Sequence, residues 1–179
     1  MKNILVLSSS PRRGGNSDTL SNEFVRGAVD AGHTVEKIFL QDKTIGYCTG
    51  CSTCSLHGKP CPQKDDMPEI LDKMIAADII VMATPVYFYT MSAQMKTLID
   101  RCCGLYTQMA NKEFCFIVTA AEDDQSKMER TIDTFQGFLD CLEGATIKGI
   151  VYGLGVWHKG EINDKPAMQK AYKMGFEIK

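Results

Sequence analysis

The chain has 179 residues, of which 44% are hydrophobic and 23% charged, and its formal net charge is −2. This length and composition are typical of one globular domain with a substantial core, and we expect residues 1–179 to form a single domain. The nearly balanced charge argues against nucleic-acid or anionic-membrane binding. No apolar run approaches the roughly 20 residues of a membrane span. The first apolar run is also too short for a secretory signal, so we expect a cytoplasmic location.

The chain begins with a short apolar strand, 3–7, which leads through a polar loop into an amphipathic helix. The loop, 8–17, is rich in serine, arginine and glycine and contains no acidic residue. Hydroxyls and flexible backbone N–H groups at a helix N-terminus favour a bound phosphate. The loop lacks the dinucleotide fingerprint, the lysine of a triphosphate loop and a cysteine, which leaves a monophosphate ester. The alternative is a plain turn in which Asn16 or Ser17 caps the helix.

Further strands and helices alternate along the rest of the chain. Strands are predicted at 34–40, 78–83, 114–118 and 146–152, and helices begin near 67, 92, 126 and 166. Ser126 with Glu129 is typical of a capping box at the start of one helix. The alternation predicts a parallel α/β sheet.

The composition of the strands predicts their order. The first, third and fourth strands are unbroken apolar runs, as expected of strands that are buried on both faces. The second and fifth are mixed and belong at the edges. The resulting order, 2-1-3-4-5, is that of a flavodoxin-like three-layer sandwich with five parallel strands. Its ligand site lies at the carboxyl ends of the first and third strands.

Aromatic residues follow the third strand at this edge. We predict a loop over residues 84–91, which includes Tyr87, Phe88 and Tyr89. Exposed aromatic side chains at a ligand-binding edge favour a planar ring, although a core loop that closes the sheet is the alternative. A ring site beside a phosphate site fits FMN, which would supply the redox chemistry. Hydride transfer by a flavin needs alignment more than a dedicated acid or base, and we predict no catalytic side chain.

A cysteine-containing insertion is predicted at residues 41–66. Its cysteines have the spacing Cys-x2-Cys-x2-Cys-x6-Cys and are Cys48, Cys51, Cys54 and Cys61. Because no secretory signal is present, this grouping indicates metal or redox chemistry rather than a disulfide framework. Thiolates suit an iron–sulfur cluster or zinc, and a metal-free loop is the third alternative. We expect the other cysteines to pack as small hydrophobic residues, namely Cys102, Cys103, Cys115 and Cys141.

The polar loop and the segment Thr84-Pro85-Val86-Tyr87 together resemble the NADPH-dependent FMN reductase family. The cysteine spacing resembles the iron–sulfur flavoprotein branch of that family, which carries a [4Fe–4S] cluster. The resemblance implies a flavodoxin-like fold, non-covalent FMN and NADPH or NADH as electron donor. It also implies a homodimer or homotetramer.

The resemblance assigns roles to residues of three loops and of the insertion. The phosphate loop would contribute Ser8, Ser10, Arg12, Asn16 and Ser17. The isoalloxazine loop would contribute Thr84, Pro85, Val86, Tyr87 and Phe88. The third loop would contribute Thr119, Ala120 and Ala121. The cluster ligands would be Cys48, Cys51, Cys54 and Cys61.

The sequence therefore predicts an FMN-dependent oxidoreductase. It would take electrons from NAD(P)H or a reduced protein and pass them to a small molecule, a protein acceptor or the cluster. The alternative is a non-catalytic electron carrier or redox-sensing module that exchanges electrons with partner proteins.

Overall fold

The computed structural model describes residues 1–179, and strands alternate with helices along most of them. The strands are β1 (Asn3–Ser8), β2 (Thr34–Phe39), β3 (Ile79–Tyr87), β4 (Thr90–Met91), β5 (Glu113–Thr119) and β6 (Thr146–Gly153). The α-helices are α1 (Asn16–Asp30), α2 (Thr53–His57), α3 (Met67–Ala76), α4 (Ala93–Arg101), α5 (Glu129–Leu139) and α6 (Ala167–Phe176).

The main sheet is parallel and has the order β2-β1-β3-β5-β6. The predicted flavodoxin-like order is therefore confirmed, with the two mixed strands at the edges. Strand β4 is an addition to the predicted five strands, because it pairs antiparallel with the end of β3.

The prediction of a loop over residues 84–91 is wrong for most of that segment. Strand β3 continues past its apolar part to Tyr87, and the chain then reverses into β4. The two residues of the turn, Phe88 and Tyr89, have φ values of 50° and 62°. These left-handed conformations favour glycine or asparagine, so the aromatic sequence gave no signal for a tight hairpin.

The sheet separates two apolar cores, as expected of a three-layer sandwich. Helices α3, α4 and α5 cover one face, where Met74, Leu98 and Phe135 are buried. Helices α1 and α6 cover the other, where Phe24 and Ala171 are buried. None of the helices combines the length and apolarity needed to cross a membrane.

Helix α5 begins differently from the prediction. Asp124 caps the short 3-10 helix that precedes α5, because its carboxylate accepts hydrogen bonds from the backbone N–H and the hydroxyl of Ser126, whereas no side chain caps α5 itself. This 3-10 helix, Gln125–Met128, leads into α5 at Glu129. The predicted capping box is therefore wrong.

Candidate functional site

A cavity of about 260 Å³ lies at the carboxyl edge of the sheet. The loops after β1 and β5, the end of β3 and the segment after β6 meet there because neighbouring parallel strands end together. The register pairs Ser8 with Ala83 and Pro85 with Thr119. The residues that line the cavity are Ser10, Arg12, Asn16, Ser17, Pro85, Val86, Tyr87, Thr119, Ala120, Ala121, Val156 and Trp157.

All but three of the residues predicted to bind the cofactor line this cavity. Ser8 is buried beneath the loop, where its hydroxyl donates to Asp18. Thr84 is also buried, and its hydroxyl accepts a hydrogen bond from the backbone N–H of Ser92. Phe88 lies at the tip of the β3–β4 hairpin, 99% exposed. These three residues are placed to support or flank the cavity rather than to line it.

The loop between β1 and α1 is compact enough to require glycine. A Cβ atom on Gly15 would lie 2.7 Å from the Ser10 hydroxyl oxygen and 2.9 Å from the Arg12 carbonyl oxygen. The Ser10 hydroxyl closes the turn, since it donates to that carbonyl and accepts from the Arg12 N–H. Gly14 adopts a left-handed conformation with φ of 67°. The backbone is thus wrapped tightly around the space in front of α1.

Polar atoms at the start of α1 are buried without partners. Gly15 precedes the helix, and no side chain caps its N-terminus. The alternative in which Asn16 or Ser17 acts as a cap is therefore wrong. Instead, Ser17 Oγ and Asn16 Oδ1 are buried and make no hydrogen bond. Buried polar groups are nearly always paired, so these atoms indicate a polar ligand that fits a phosphate and its attached polyol.

The segment after β6 is tied to the phosphate loop. The Arg12 guanidinium donates to the Trp157 carbonyl oxygen at 3.2 Å, and the Asn16 amide donates to the His158 carbonyl oxygen at 3.0 Å. The Glu161 carboxylate accepts from the backbone N–H groups of Trp157 and His158, which hold its pKa below the usual range. The indole of Trp157 is thereby held at the mouth of the cavity, where it is 67% exposed.

Val156 and Trp157 were not among the residues assigned to the cofactor from the sequence. Their position just beyond the last parallel strand places them at the same edge as the other loops. In the sequence, the one indication that this segment reaches the ligand site was the single tryptophan of the chain, which follows the last predicted strand.

Asp18 supports the phosphate loop from beneath. Its carboxylate accepts hydrogen bonds from Ser8 Oγ, the Gly14 N–H and Lys37 Nζ, at 2.9, 2.7 and 2.6 Å. Burial raises the pKa of Asp18, but the bonds from Lys37, Gly14 and Ser8 outweigh it and hold the pKa below its usual value. Asp18 is therefore an anion that fixes the left-handed turn at Gly14.

The cysteine loop borders a second cavity, of about 440 Å³. The cysteines that line it are Cys48, Cys54, Cys61 and Cys103. Cys51 is exposed, and its thiol hydrogen-bonds Thr53 Oγ1 at 3.4 Å, which lowers the pKa of Cys51. No three ligating side chains are drawn close enough together to hold one metal ion.

The prediction that the remaining cysteines pack as small hydrophobic residues is confirmed for two of them. Cys102 and Cys115 are buried, and burial raises the pKa of each to about 12. The prediction is wrong for Cys103 and Cys141, which are exposed. Both follow the ends of helices, where the apolar periodicity of the helix no longer determines which way a side chain faces.

Arg101 holds the two ends of the cysteine loop together. Its guanidinium donates to Asp65 at 2.6 and 3.1 Å and to the Gly46 carbonyl oxygen at 2.7 Å. It also lies 3.6 Å from Cys61 Sγ. The hydrogen bond from Arg101 lowers the pKa of Asp65, and Asp65 raises that of Arg101. The ion pair fixes Cys61 relative to the start of the loop.

The strand order and the cavity at its switch point define a flavodoxin-like α/β flavoprotein. Residues 2–159 match the model of the NADPH-dependent FMN reductase family. The chain therefore belongs to that family, whose members are FMN-dependent enzymes that use NAD(P)H. The predicted family, fold, flavin cofactor, electron donor and class of enzyme are confirmed.

Two iron–sulfur flavoproteins are similar to this chain in sequence. One, from Archaeoglobus fulgidus, is 33% identical over 99% of this chain and 79% of its own length. The other, from Methanocaldococcus jannaschii, is 44% identical over 55% of this chain, and the match spans half of that relative's length. These names support the predicted likeness to the iron–sulfur flavoprotein branch.

A solved structure of similar fold is the NAD(P)H:quinone oxidoreductase from Methanothermobacter marburgensis. It has a TM-score of 0.77 at 16% identity, over 98% of this chain and 96% of its own. At this identity the likeness concerns the fold.

Proposed function

We propose that residues 1–179 form one FMN-binding domain that transfers electrons from NADH, NADPH or a reduced protein to an acceptor. The acceptor would be a small molecule such as a quinone, or a cluster in the insertion at 41–66. The observation that carries the proposal is the pair of unpartnered buried atoms, Ser17 Oγ and Asn16 Oδ1, in a cavity that also presents aromatic side chains.

The residues that line the cavity divide into two groups by chemistry. Ser10, Arg12, Asn16 and Ser17 are the polar group, and they would hold the phosphate and the polyol of FMN. The remaining positions, all apolar or aromatic except Thr119, would contact the ring: Pro85, Val86, Tyr87, Thr119, Ala120, Ala121, Val156 and Trp157. Bound FMN supplies hydride and electron transfer, whereas the chain binds, orients and shields it.

The cysteine loop offers a donor set that fits a [4Fe–4S] cluster. Thiolates are the ligands that such clusters take, and Cys48, Cys54 and Cys61 already share one cavity. Cys51 lies on the same loop and would have to turn inward to join them. Arg101 would donate to Cys61, and hydrogen bonds to ligating sulfurs tune the potential of a cluster.

The aromatic residues at the mouth of the cavity support a homodimer or a homotetramer. Tyr87 and Trp157 line the cavity and are 42% and 67% exposed, and Phe88, at the tip of the adjoining hairpin, is 99% exposed. A second copy placed there would bury them and exclude water from the ring. Sedimentation velocity of the FMN-loaded protein tests this, and a monomer at micromolar concentration would contradict it.

Anaerobic mixing of the FMN-loaded protein with NADH or NADPH tests the reductase function. We expect rapid bleaching of the visible absorption band of the oxidised flavin, because hydride transfer reduces it. An enzyme would then return to the oxidised spectrum when a quinone is added. No bleaching by either nucleotide would favour the carrier alternative, and a protein that takes up no FMN would contradict both.

A further inference from the structure

Two cysteines from distant parts of the chain line the second cavity. Cys54 belongs to α2 in the insertion, whereas Cys103 belongs to a short 3-10 helix, Cys102–Gly104, that follows α4. Both residues line the cavity, and α2 packs against this 3-10 helix.

Gly104 explains how the two segments come so close. A Cβ atom at this position would lie 2.8 Å from Cys54 Cβ and 3.4 Å from Cys54 Sγ, so a larger residue would push α2 away. Cys54 thus packs directly on the backbone beside Cys103. Cys51, by contrast, is turned towards Thr53 and away from the cavity.

Both thiols can be reached by a small reagent. Cys103 is exposed and Cys54 is half-buried, whereas the neighbouring Cys102 is fully buried. The proposed flavin chemistry makes no use of Cys103. Its position next to Gly104, against which Cys54 of the insertion packs, therefore needs a separate explanation.

We propose that Cys54 and Cys103 form a reversible disulfide in the metal-free protein. The oxidant is a low-molecular-weight disulfide. One protein thiol, as its thiolate, attacks that disulfide, forms a mixed disulfide and releases one small thiol. The second protein thiol then loses its proton and attacks the protein sulfur of the mixed disulfide, which releases the second small thiol. Two protein thiols are oxidised, and one small disulfide is reduced to two thiols.

The disulfide would also affect metal binding by the insertion, a consequence that rests on the proposed cluster. Cys54 cannot be a cluster ligand and a disulfide partner at the same time, because ligation requires a free thiolate. Oxidation would also tie α2 to the end of α4. The disulfide would therefore exclude metal from the loop, and its reduction would reopen the site.

Peptide mapping of the metal-free protein tests the disulfide. The protein is reduced, equilibrated with glutathione buffers of increasing oxidised fraction, alkylated and digested with trypsin without a reductant. Cys54 then lies in peptide 44–64 and Cys103 in peptide 102–112, since the bond between Lys59 and Pro60 resists trypsin. We expect the linked pair of peptides to increase with the oxidised fraction and to disappear when dithiothreitol is added.

Single variants identify the bond. Cys54→Ser and Cys103→Ser should each abolish the linked peptides, whereas Cys48→Ser and Cys51→Ser should retain them. Circular dichroism of each variant shows that it is folded. The proposal is overturned if the link persists in Cys54→Ser, if a Cys51–Cys54 disulfide forms instead, or if no link forms at any buffer ratio.

A metal-loading experiment tests the consequence separately. The reduced and the oxidised wild-type proteins are incubated without oxygen with ferrous iron and sulfide, and bound iron is measured only in samples whose peptide map after the incubation shows that sulfide has not cleaved the disulfide. We expect at least a tenfold lower iron content in the oxidised protein. Equal iron in both samples would overturn the proposal that the disulfide excludes metal. No iron in either sample would contradict the proposed cluster. In each case the peptide map separately shows whether the disulfide forms.

Discussion

Two arginines that are adjacent in the sequence have different surroundings in the structure. Arg12 lines the cavity and donates to the Trp157 carbonyl oxygen. Arg13 forms an ion pair with Asp42, and its guanidinium lies 4.5 Å from the centroid of the Phe39 ring. The pair therefore offers a variant and a matched control for the phosphate site.

We expect Arg12→Ala to weaken FMN binding by about 1.5–3 kcal/mol, the typical contribution of a hydrogen bond to a charged group. Riboflavin, which lacks the phosphate, should bind almost as it does to the wild type. Arg13→Ala should change neither affinity, because Arg13 pairs with Asp42 and does not line the cavity. Titration of each protein with both flavins, followed by flavin fluorescence, checks this, and equal losses for the two flavins would contradict a phosphate contact.

The Ser17→Ala variant tests whether the unpartnered Ser17 hydroxyl binds the ligand. We expect Ser17→Ala to weaken FMN binding by about 1 kcal/mol, roughly fivefold in Kd, because one hydrogen bond is lost. The flavin-free variant should be as stable as the wild type or slightly more stable, since an unsatisfied buried group is removed. Urea unfolding and flavin titration measure the two effects.

Ser21→Ala is the matched control, because we expect it to change stability and not FMN affinity. Its hydroxyl is buried and donates to the Asp18 carbonyl oxygen at 2.7 Å, outside the cavity. Ser21→Ala should lower the free energy of unfolding and leave FMN affinity unchanged. A lower free energy of unfolding in flavin-free Ser17→Ala would show that the Ser17 hydroxyl stabilises the fold instead of binding the ligand.

Most of the phosphate site could be predicted from residue types, but the exceptions depended on geometry. Ser8 and Ser10 look equivalent in the sequence, yet only Ser10 lines the cavity. Ser8 is the last residue of β1, so the pleat turns its hydroxyl towards Asp18. No pattern in the sequence indicated that Asp18 would support the loop.

At the level of elements, the cysteine loop depends on one buried ion pair. The side chains of Arg101 and Asp65 are 2% and 7% exposed, and Arg101 also binds the Gly46 carbonyl oxygen at the other end of the loop. Removing one partner of a buried pair leaves the other charge uncompensated. We expect Asp65→Asn to lower the free energy of unfolding by about 3 kcal/mol at neutral pH.

The effect of Asp65→Asn should depend on pH. Arg101 lowers the pKa of Asp65 in the folded state, so the pair contributes fully above the unfolded pKa of about 4. Its contribution is lost as the pH falls through the lower, folded pKa. The difference between wild type and variant should therefore shrink below about pH 4. Urea unfolding at several pH values measures it.

Asp100→Asn is the matched control, because Asp100 pairs with Lys96 on the exposed side of α4. Such surface pairs contribute about 0.5 kcal/mol or less. If Asp65→Asn and Asp100→Asn lowered the free energy of unfolding by the same small amount at neutral pH, the buried pair would not be what stabilises the loop.

The order of the elements was predictable, whereas the shape of their ends was not. Continuous apolar runs separated the inner strands from the edges, because burial on both faces leaves no polar positions. The hairpin after β3 was missed since Phe88 and Tyr89 are poor turn residues in left-handed conformations. The packing of Cys54 against Gly104, beside Cys103, joins segments that are distant in the sequence, so no local spacing could indicate it.

For the whole molecule, the cavity joins four segments that are remote from one another in the chain. The loops after β1 and β5, the end of β3 and the segment after β6 meet there, so a ligand in the cavity contacts both halves of the sheet. Binding should therefore stabilise the entire fold rather than one loop.

We expect FMN to raise the thermal stability of the flavin-free protein. At a free concentration of about 100 times Kd, the linkage relation gives roughly 2.7 kcal/mol. For a chain of this length, that corresponds to a rise in Tm of about 5–11 °C. Differential scanning calorimetry over a range of FMN concentrations measures the rise, which should continue logarithmically with concentration above Kd. Riboflavin at the same concentrations should give a smaller rise, since it leaves Arg12 and Ser17 without a phosphate. Equal rises for the two flavins would place the stabilisation at the ring, and no rise with either would contradict FMN binding in this cavity.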